Sequence, residues 1–495
     1  MSVILEMDVL IPWILAMTFG VFVGSTPGLT ATMAVALIIP FSFQLEKEAA
    51  LAMVIGVSFT AIFAGDIPAT FLRIPGTPAS AAATLDAHRL ALNGKGKQTL
   101  LVNLLCSSLG GILGVAMLIL IAPELAAFAL KFGPYEYFWL CLVGLSLGVT
   151  VSSNGRPMLG VLAAVIGCAF AYVGVDPLTN KSRFIFGFEE LSEGLNFIPA
   201  MIGLFGMSEV LKAVVGQSGT LSSQPTAGPF RWRNSVVKIM RHFPTVLQSV
   251  LTGTAIGALP GAGADIAAWG AYGISEKTTR NAKPVFGEGN WRGVIAPTSA
   301  NNSAVAAAWI PALVFGIPGD AVTAIVLGAF LVYDITPGPA LFETGNADFI
   351  FSIAIVTQLL LIPAGLLGIM IFSQIAKLPR GIVLTAVVIF SVVGSYAMNN
   401  SMVDVWVMFG FGLFGLILEQ HRVPLAPLIL GMILGPKIEV YLRTGLISSS
   451  GDVQIAFSSV ISKWFVLMLV LISVYPLINR IRTKLGNNHD ARRQY

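Results

Sequence analysis

The stretch IPATFLRIPG, Ile67–Gly76, is answered later in the chain by IPALVFGIPG, Ile310–Gly319. Both follow the frame Ile-Pro-Ala-x4-Ile-Pro-Gly inside strongly apolar sequence. Upstream of each copy stands a second shared frame, Gly-x3-Gly-x2-Pro-Gly, at Gly20–Gly28 and at Gly253–Gly261. Two breaker motifs repeated in the same order mean that an ancestral unit was duplicated. Proline and glycine interruptions in corresponding apolar segments of two halves point to the central binding site of a membrane transporter.

Composition agrees with that class. Of 495 residues, 55% are hydrophobic and 11% are charged, where soluble proteins carry about 25% charged residues. A soluble fold so poor in charge would expose large apolar patches and aggregate. The apolar stretches here are about 20 residues long, enough to cross a bilayer as helices. The expected fold is an all-α polytopic membrane protein with ten to twelve transmembrane segments. Cys106, Cys141 and Cys168 stand singly in apolar segments and read as small buried residues rather than redox or metal ligands. Glu6 and Asp8, not a basic region, precede the first apolar stretch, so no signal-peptide pattern is expected. The net charge of +4 says nothing of nucleic acid, because the basic residues sit in loops.

Those loops give a topology. Arg480, Arg482, Lys484, Arg492 and Arg493 follow the last apolar segment, and the positive-inside rule assigns them to the cytoplasm. Further basic loops hold Arg231, Arg233, Lys238 and Arg241; Lys277, Arg280 and Lys283; Lys377 and Arg380; and Arg89, Lys95 and Lys97. The N-terminus, the Glu46–Glu48 turn and the stretch Asp334–Asp348 read as external. Each loop around the first copy then has its counterpart around the second on the opposite side, the mark of inverted-topology repeats. Each Pro-Gly unit must leave and return on one side as a hairpin, followed by a discontinuous helix. The chain divides into repeat 1 (11–93), four intervening spans and a cytoplasmic loop (94–243), repeat 2 (244–345), C-terminal spans (346–479) and a basic tail (480–495), all within one integral membrane domain. Crossings are expected near 99–122, 135–152, 157–174, 195–215, 349–375, 381–398, 403–419 and 456–478, with a proline-bearing half-span at 423–435.

The breakers matter because backbone without helical hydrogen bonds is tolerated at membrane depth only where it lines a cavity or packs on protein. At Pro27-Gly28, Pro75-Gly76, Pro260-Gly261 and Pro318-Gly319 a helix ends and another starts, which leaves N–H groups suited to an anion. Ser25, Thr26, Thr30, Thr77, Pro78, Ser80, Gly263 and Thr323 flank these points and join the candidate substrate site. Ser299, Asn301 and Asn302, just ahead of the second Ile-Pro-Ala, add hydroxyls and amides that are less costly to bury than charges. Asp66, Asp265 and Asp320 are candidates for coupling a cation, as ionisable residues at membrane depth. Arg73 is the one basic side chain within a motif and has two readings, a partner for a substrate carboxylate or for Asp66. Close helix packing by glycine is the competing explanation for any single breaker.

Burying a charge costs several kcal/mol (~3–5 when it is left unpaired), and a helix end returns only about 0.3–2 kcal/mol. A multiply charged anion therefore needs accompanying cations. No Gly-x4-Gly-Lys-Ser/Thr nucleotide loop is present, so a Na⁺ or H⁺ gradient is the expected energy source, with no cofactor.

Gly20–Leu29, Ile67–Ser80, and Ala296–Asn302 leading into Ile310–Asp320 resemble TctA, the large membrane subunit of the tripartite tricarboxylate transporters. The resemblance covers most of the chain. It implies a Na⁺-coupled importer of citrate-like carboxylates in a bacterial inner membrane. It implies two partners, a small membrane subunit resembling TctB and a periplasmic binding protein resembling TctC. Thr298 stands where that family commonly has an acid, and Asp66 and Arg73 where it commonly has neutral residues. An intramembrane protease is disfavoured: the chain has Gly-Ala-Gly-Ala-Asp at 261–265 instead of Gly-x-Gly-Asp, and His88, His242, His421 and His489 fall in loops or the tail. An ungated anion channel is the other rival, since selectivity filters also use exposed backbone.

Overall fold

A computed structural model describes residues 6–26, 29–73, 75–153, 156–176, 178–215, 228–279, 282–343, 345–375 and 380–474. Pro27, Gly28, Ile74, Arg280, Lys377 and the tail from Arg480 lie outside the described residues. The only β-structure among the described residues is one two-stranded pair. Seven helices are long and apolar enough to cross a membrane, and shorter apolar helices include Ala31–Ser42, Pro157–Ala171 and Ala321–Val332. The polytopic helical class expected from composition is the one observed.

The chain forms two compact units. The first comprises Met1–Ala129 and Asn196–Ile417, the second Leu130–Leu195 and Leu418–Tyr495. In chain order the helices are α1 (Met7–Ser25), α2 (Ala31–Ser42), α3 (Lys47–Ala64), α4 (Asp66–Leu72), α5 (Ser80–Leu90), α6 (Gly96–Ala129), α7 (Pro134–Ser152), α8 (Pro157–Ala171), α9 (Phe197–Met201), α10 (Ser208–Val215), α11 (Trp232–Arg241), α12 (Phe243–Gly257), α13 (Gly263–Thr278), α14 (Trp291–Phe315), α15 (Ala321–Val332), α16 (Asn346–Ile375), α17 (Arg380–Asn399), α18 (Met402–Gln420), α19 (Leu425–Ser448) and α20 (Val460–Val474).

Within the first unit, the two copies correspond at a constant offset of 243 residues through α3–α5 and α14–α15, since Ile67 matches Ile310. The glycines of the upstream frame pack their hairpins. Gly20 and Gly24 of α1 lie against Thr60 and Ala61 of α3 with no room for a Cβ. Gly253 and Gly257 of α12 lie in the same way against Ser303 and Ala304 of α14, the offset partners of Thr60 and Ala61. Small residues let helix backbones approach where lipid offers no hydrophobic drive for association. For these four glycines, the packing explanation holds.

Two faces of the unit can be told apart by their contacts. Lys47 Nζ donates to Asn346 Oδ1 at 2.8 Å, and the Tyr333 hydroxyl donates to Ser42 Oγ at 3.1 Å. The Glu46–Glu48 turn and the stretch before α16, both expected to be external, therefore meet. At the other face Lys238 lies 4.3 Å above the Trp291 ring and Lys97 5.4 Å above that of Phe230. There Arg292 also donates to His242 Nδ1 at 3.3 Å and to Thr279 Oγ1 at 2.7 Å. Three of the basic segments thus share one face. Helix α3 begins at the first face and its counterpart α14 at the second, so the two copies run in opposite directions. Helix α6 starts beside Lys97, whereas α16 starts at Asn346. Phe63, Ile67, Leu100, Leu104, Leu361 and Ile369 form the core where α3, α4, α6 and α16 pack.

In the second unit α8 and α19 pack through small residues: Gly167 meets the Leu428 carbonyl and Gly431 the Ala164 carbonyl. A short hairpin pairs Gly174 with Arg183. Its Asp176 carboxylate accepts from Arg443 at 2.9 Å, while Arg183 pairs with Glu439 at 2.8 Å. The expected half-span at 423–435 is instead the start of the full helix α19. Pro424 and Pro427 fall at its N-cap and in its first turn, where no intrahelical N–H is needed, so they begin the helix and do not stop it.

Candidate functional site

Each copy builds an elbow from the same parts. Helix α3 continues through Gly65, which keeps α-helical angles, into α4, and the helix ends at Arg73 in the left-handed region (φ 59°). The offset partner of Arg73 is Gly316, which ends α14 at φ 63°. The chain then doubles back. The Gly76 N–H donates to the Gly65 carbonyl at 3.1 Å, and a Cβ on Gly76 would stand 2.6 Å from the Gly24 carbonyl oxygen. Gly319, partner of Gly76, presses in the same way on Ala308, partner of Gly65. The carbonyl at the end of each broken helix is covered too: the Thr70 oxygen lies 3.0 Å from His88 Nδ1, and the Leu313 oxygen accepts from the Gly338 N–H at 2.9 Å. His88 lies in the last turn of α5, not in a loop as its flanking sequence suggested, because it closes this contact.

The helices leaving the elbows begin with matched caps. The Thr77 and Ser80 N–H groups each donate to the other residue's hydroxyl at 3.2 Å. In the second copy Asp320 and Thr323 do the same, with the Asp320 N–H on Thr323 Oγ1 at 2.8 Å and the Thr323 N–H on Asp320 Oδ1 at 2.7 Å. These are capping boxes at equivalent positions. Thr30 caps α2 by accepting from the Met33 N–H at 3.2 Å. Ser25 and Thr26 turn their hydroxyls back onto the Phe22 carbonyl, at 3.1 and 2.8 Å. The helix starts are therefore less open to an anion than their prolines alone imply.

The two copies converge at the hairpin tip between α12 and α13. Gly261 and Gly263 adopt φ of 80° and 61°, angles that favour glycine. The Gly261 N–H donates to the Gly319 carbonyl at 2.8 Å, and a Cβ on Gly263 would stand 3.0 Å from the Asp320 Cβ. Asp265, two residues on, lies near the Ala79 N–H of the first elbow and faces Asp320 of the second. The structure thus brings Thr77, Pro78, Ser80, Gly261, Gly263, Asp265, Gly319, Asp320 and Thr323 together. Arg73 is exposed and makes no ion pair among the described residues. Asp66 is buried, and neither carboxylate oxygen has a hydrogen-bond partner. The expected alternative of an Arg73–Asp66 pair is not formed.

Ser299, Asn301 and Asn302 line the middle of α14, all buried. Ser299 faces Gly110 and the Cys106 thiol of α6. Asn301 lies seven residues before Ala308 and so on the face that meets the second elbow. Its Oδ1 and both amide atoms of Asn302 lack partners.

Two features went unread in the sequence. Asp86 is buried and binds the loop ahead of α14: its Oδ1 accepts from the N–H groups of Gly287 and Gly289 at 2.9 Å each and of Asn290 at 2.6 Å. The Tyr272 hydroxyl donates to its Oδ2 at 3.0 Å. No motif frames it. Asn103 and Ser107 on α6, and Thr357 and Gln358 on α16, are buried with side-chain polar atoms lacking partners.

A family model, the tripartite tricarboxylate transporter TctA family, matches residues 10–430. The chain belongs to the TctA family. Membership makes it a large membrane subunit of the tripartite tricarboxylate transporter class, a multi-pass membrane protein, and implies a system with partner subunits. An uncharacterized 52.8 kDa protein in the TAR-I ttuC' 3' region of Agrobacterium vitis is 32% identical over 479 residues, covering 95% of this chain and 94% of that one. A second Agrobacterium vitis protein, from the TAR-II ttuC' 3' region, is 33% identical over 234 residues, 47% of this chain and 96% of its own length. No solved structure matches.

Proposed function

We propose that this TctA subunit imports a carboxylate, citrate-like in class, by cation symport across a bacterial inner membrane, with Na⁺ as the coupling ion. The N-terminus is periplasmic and the C-terminus cytoplasmic. A periplasmic binding protein resembling TctC delivers the substrate, and a small membrane subunit resembling TctB completes the assembly. Family membership supports the class of cargo. The observation that carries the coupling is the meeting of both copies at Ala79, Asp265 and Asp320.

At that point two carboxylates stand beside the helix start that would receive an anion. Among the described residues no Lys or Arg pairs with Asp66, Asp265 or Asp320. Asp265 is exposed and Asp320 half-buried, so both can meet an entering cation, and an anionic substrate beside them is compatible with their charge only when cations enter with it. Asp265 lies near the Ala79 N–H, where a substrate carboxylate would seek a donor. Cation binding to the acid leaves that donor to the substrate. Arg73, exposed at the end of the first elbow, is a further contact for the anion.

Proteoliposomes holding all three components, with Na⁺ and H⁺ gradients imposed separately, test this reading. Labelled citrate should accumulate above its external concentration under an inward Na⁺ gradient. Accumulation under the H⁺ gradient alone, or mere equilibration, would contradict it.

A further inference from the structure

Helix α11 carries three kinds of side chain on three faces. Ser235 and Ile239 are buried, and Ile239 joins the core formed by Val102, Val246, Val250 and Ile295. Trp232, Val236 and Met240 recur at steps of four and share the next face. All three are exposed, Trp232 by 46% and Met240 by 63%. Arg233, Val237 and Arg241 form the row beyond, exposed as well. A basic row beside an apolar stripe is the pattern of a helix that lies in a membrane interface.

Two observations say what covers the stripe. Helix α11 ends at His242 and α12 starts at Phe243. Phe243, Leu247 and Leu251 are exposed at the same four-residue spacing, so the stripe runs on into the outward flank of the second hairpin. Charge is the other observation. No Asp or Glu occurs between Glu209 and Asp265, a stretch that holds Lys212, Arg231, Arg233, Lys238 and Arg241. Among the described residues, none of Arg233, Lys238 and Arg241 forms an ion pair. Burial, then Lys95 and Arg241, push the Lys238 ammonium below its usual pKa, and no acid offsets them. Burial, then Arg292, Arg241 and Lys238, lower His242 in the same way. These cations crowd one another on the face that loop charge assigns to the cytoplasm.

We propose that α11 seats an anionic phospholipid of the cytoplasmic leaflet, its phosphate on Arg233 and Arg241 and its acyl chains along Trp232, Val236 and Met240. Such a lipid supplies the missing negative charge and the missing apolar cover together. Because α11 leads directly into α12, bound lipid tethers the start of the second hairpin. The inference goes beyond the transport reading and holds whichever ion is coupled.

Thermal unfolding of the purified full chain in detergent tests it, with phosphatidylglycerol titrated against phosphatidylcholine. Phosphatidylglycerol should raise the midpoint saturably where phosphatidylcholine does not, and added salt should weaken the effect. Arg233→Gln with Arg241→Gln should raise the half-saturating lipid fraction about tenfold or more. Lys277→Gln with Lys283→Gln, an equal charge loss at exposed positions of the same face, should leave it unchanged. Equal responses of the two double variants would reduce the effect to bulk surface charge and overturn the site. Equal stabilisation by inorganic phosphate would overturn the lipid as its occupant. In liposomes with brominated acyl chains, the wild type should lose a larger fraction of its tryptophan emission than Trp232→Phe. Equal quenching would mean that another protein surface covers the stripe, and would contradict the proposal. That comparison stands even if the arginine pair fails to fold.

Discussion

Arg73 and Gly316 show what a single residue can reveal. They occupy the same left-handed helix end in the two copies, yet only glycine adopts it freely. A non-glycine residue there carries about 1–2 kcal/mol of strain. Retaining arginine at that cost fits a side chain used for its charge. Arg73→Gly should therefore melt no lower than the wild type in a thermal-shift assay, while uptake of the carboxylate falls. Wild-type uptake would remove Arg73 from the substrate path. Pro75→Ala and Asn301→Ala should each reduce uptake severely while the protein still inserts, as measured by transport beside membrane yield. Normal transport by both variants would detach these segments from the site. At this scale the sequence was informative where residues are conformationally special. Proline and glycine declare a break locally, but Asp86 and Gln358 acquire meaning only from distant partners. Thr77, Ser80, Asp320 and Thr323 were marked by the sequence as lying at the breaks, but that they pair as caps depends on the elbow's return path.

Among elements, the paired hairpins rest on close packing of small residues. A Cβ on Gly257 would enter the Ala304 backbone, whereas one on Gly273 of the neighbouring helix meets nothing. Gly257→Leu should separate α12 from α14 and cost about 1–3 kcal/mol or more, seen as loss of monodisperse protein in gel filtration. Gly273→Leu should elute as the wild type does. The hairpin at 174–183 has a pH signature of its own. Burial pushes the Asp176 carboxyl up, but Thr179, the Leu178 N–H, Arg443 and Arg183 outweigh it and hold it below the usual carboxylate range. A depressed acid contributes stability that is complete above its unfolded value of about 3.9 and lost as pH falls through the folded value. Hydrogen-exchange protection of this hairpin should hold from pH 7 to about pH 4, and Asp176→Asn should weaken it throughout. Sequence periodicity located most long helices, since an apolar run of spanning length has few alternatives. It cut α19 short, because proline begins a helix as readily as it ends one and only the surrounding fold decides.

Taken as a whole molecule, the first unit is two copies of one motif read in opposite directions. The inversion was legible from loop charge. Its consequence was not: each elbow presses on its own hairpin, and the first elbow also reaches Asp265 of the second copy. No local pattern records such a contact, because it depends on how the two copies cross. Asp265 and Asp320 lie where the copies meet, which is where opposite-facing hairpins can expose one site to either side in turn. The most direct measurement is labelling of single cysteines, Lys47→Cys at the mouth of the first hairpin and Lys277→Cys at that of the second, in a chain with Cys106, Cys141 and Cys168 replaced by alanine. With a membrane-impermeant maleimide, intact spheroplasts should modify the cysteine at 47 but not that at 277, and inside-out vesicles the reverse. Modification of both positions from the same side would contradict the opposed hairpins and the shared site built on them.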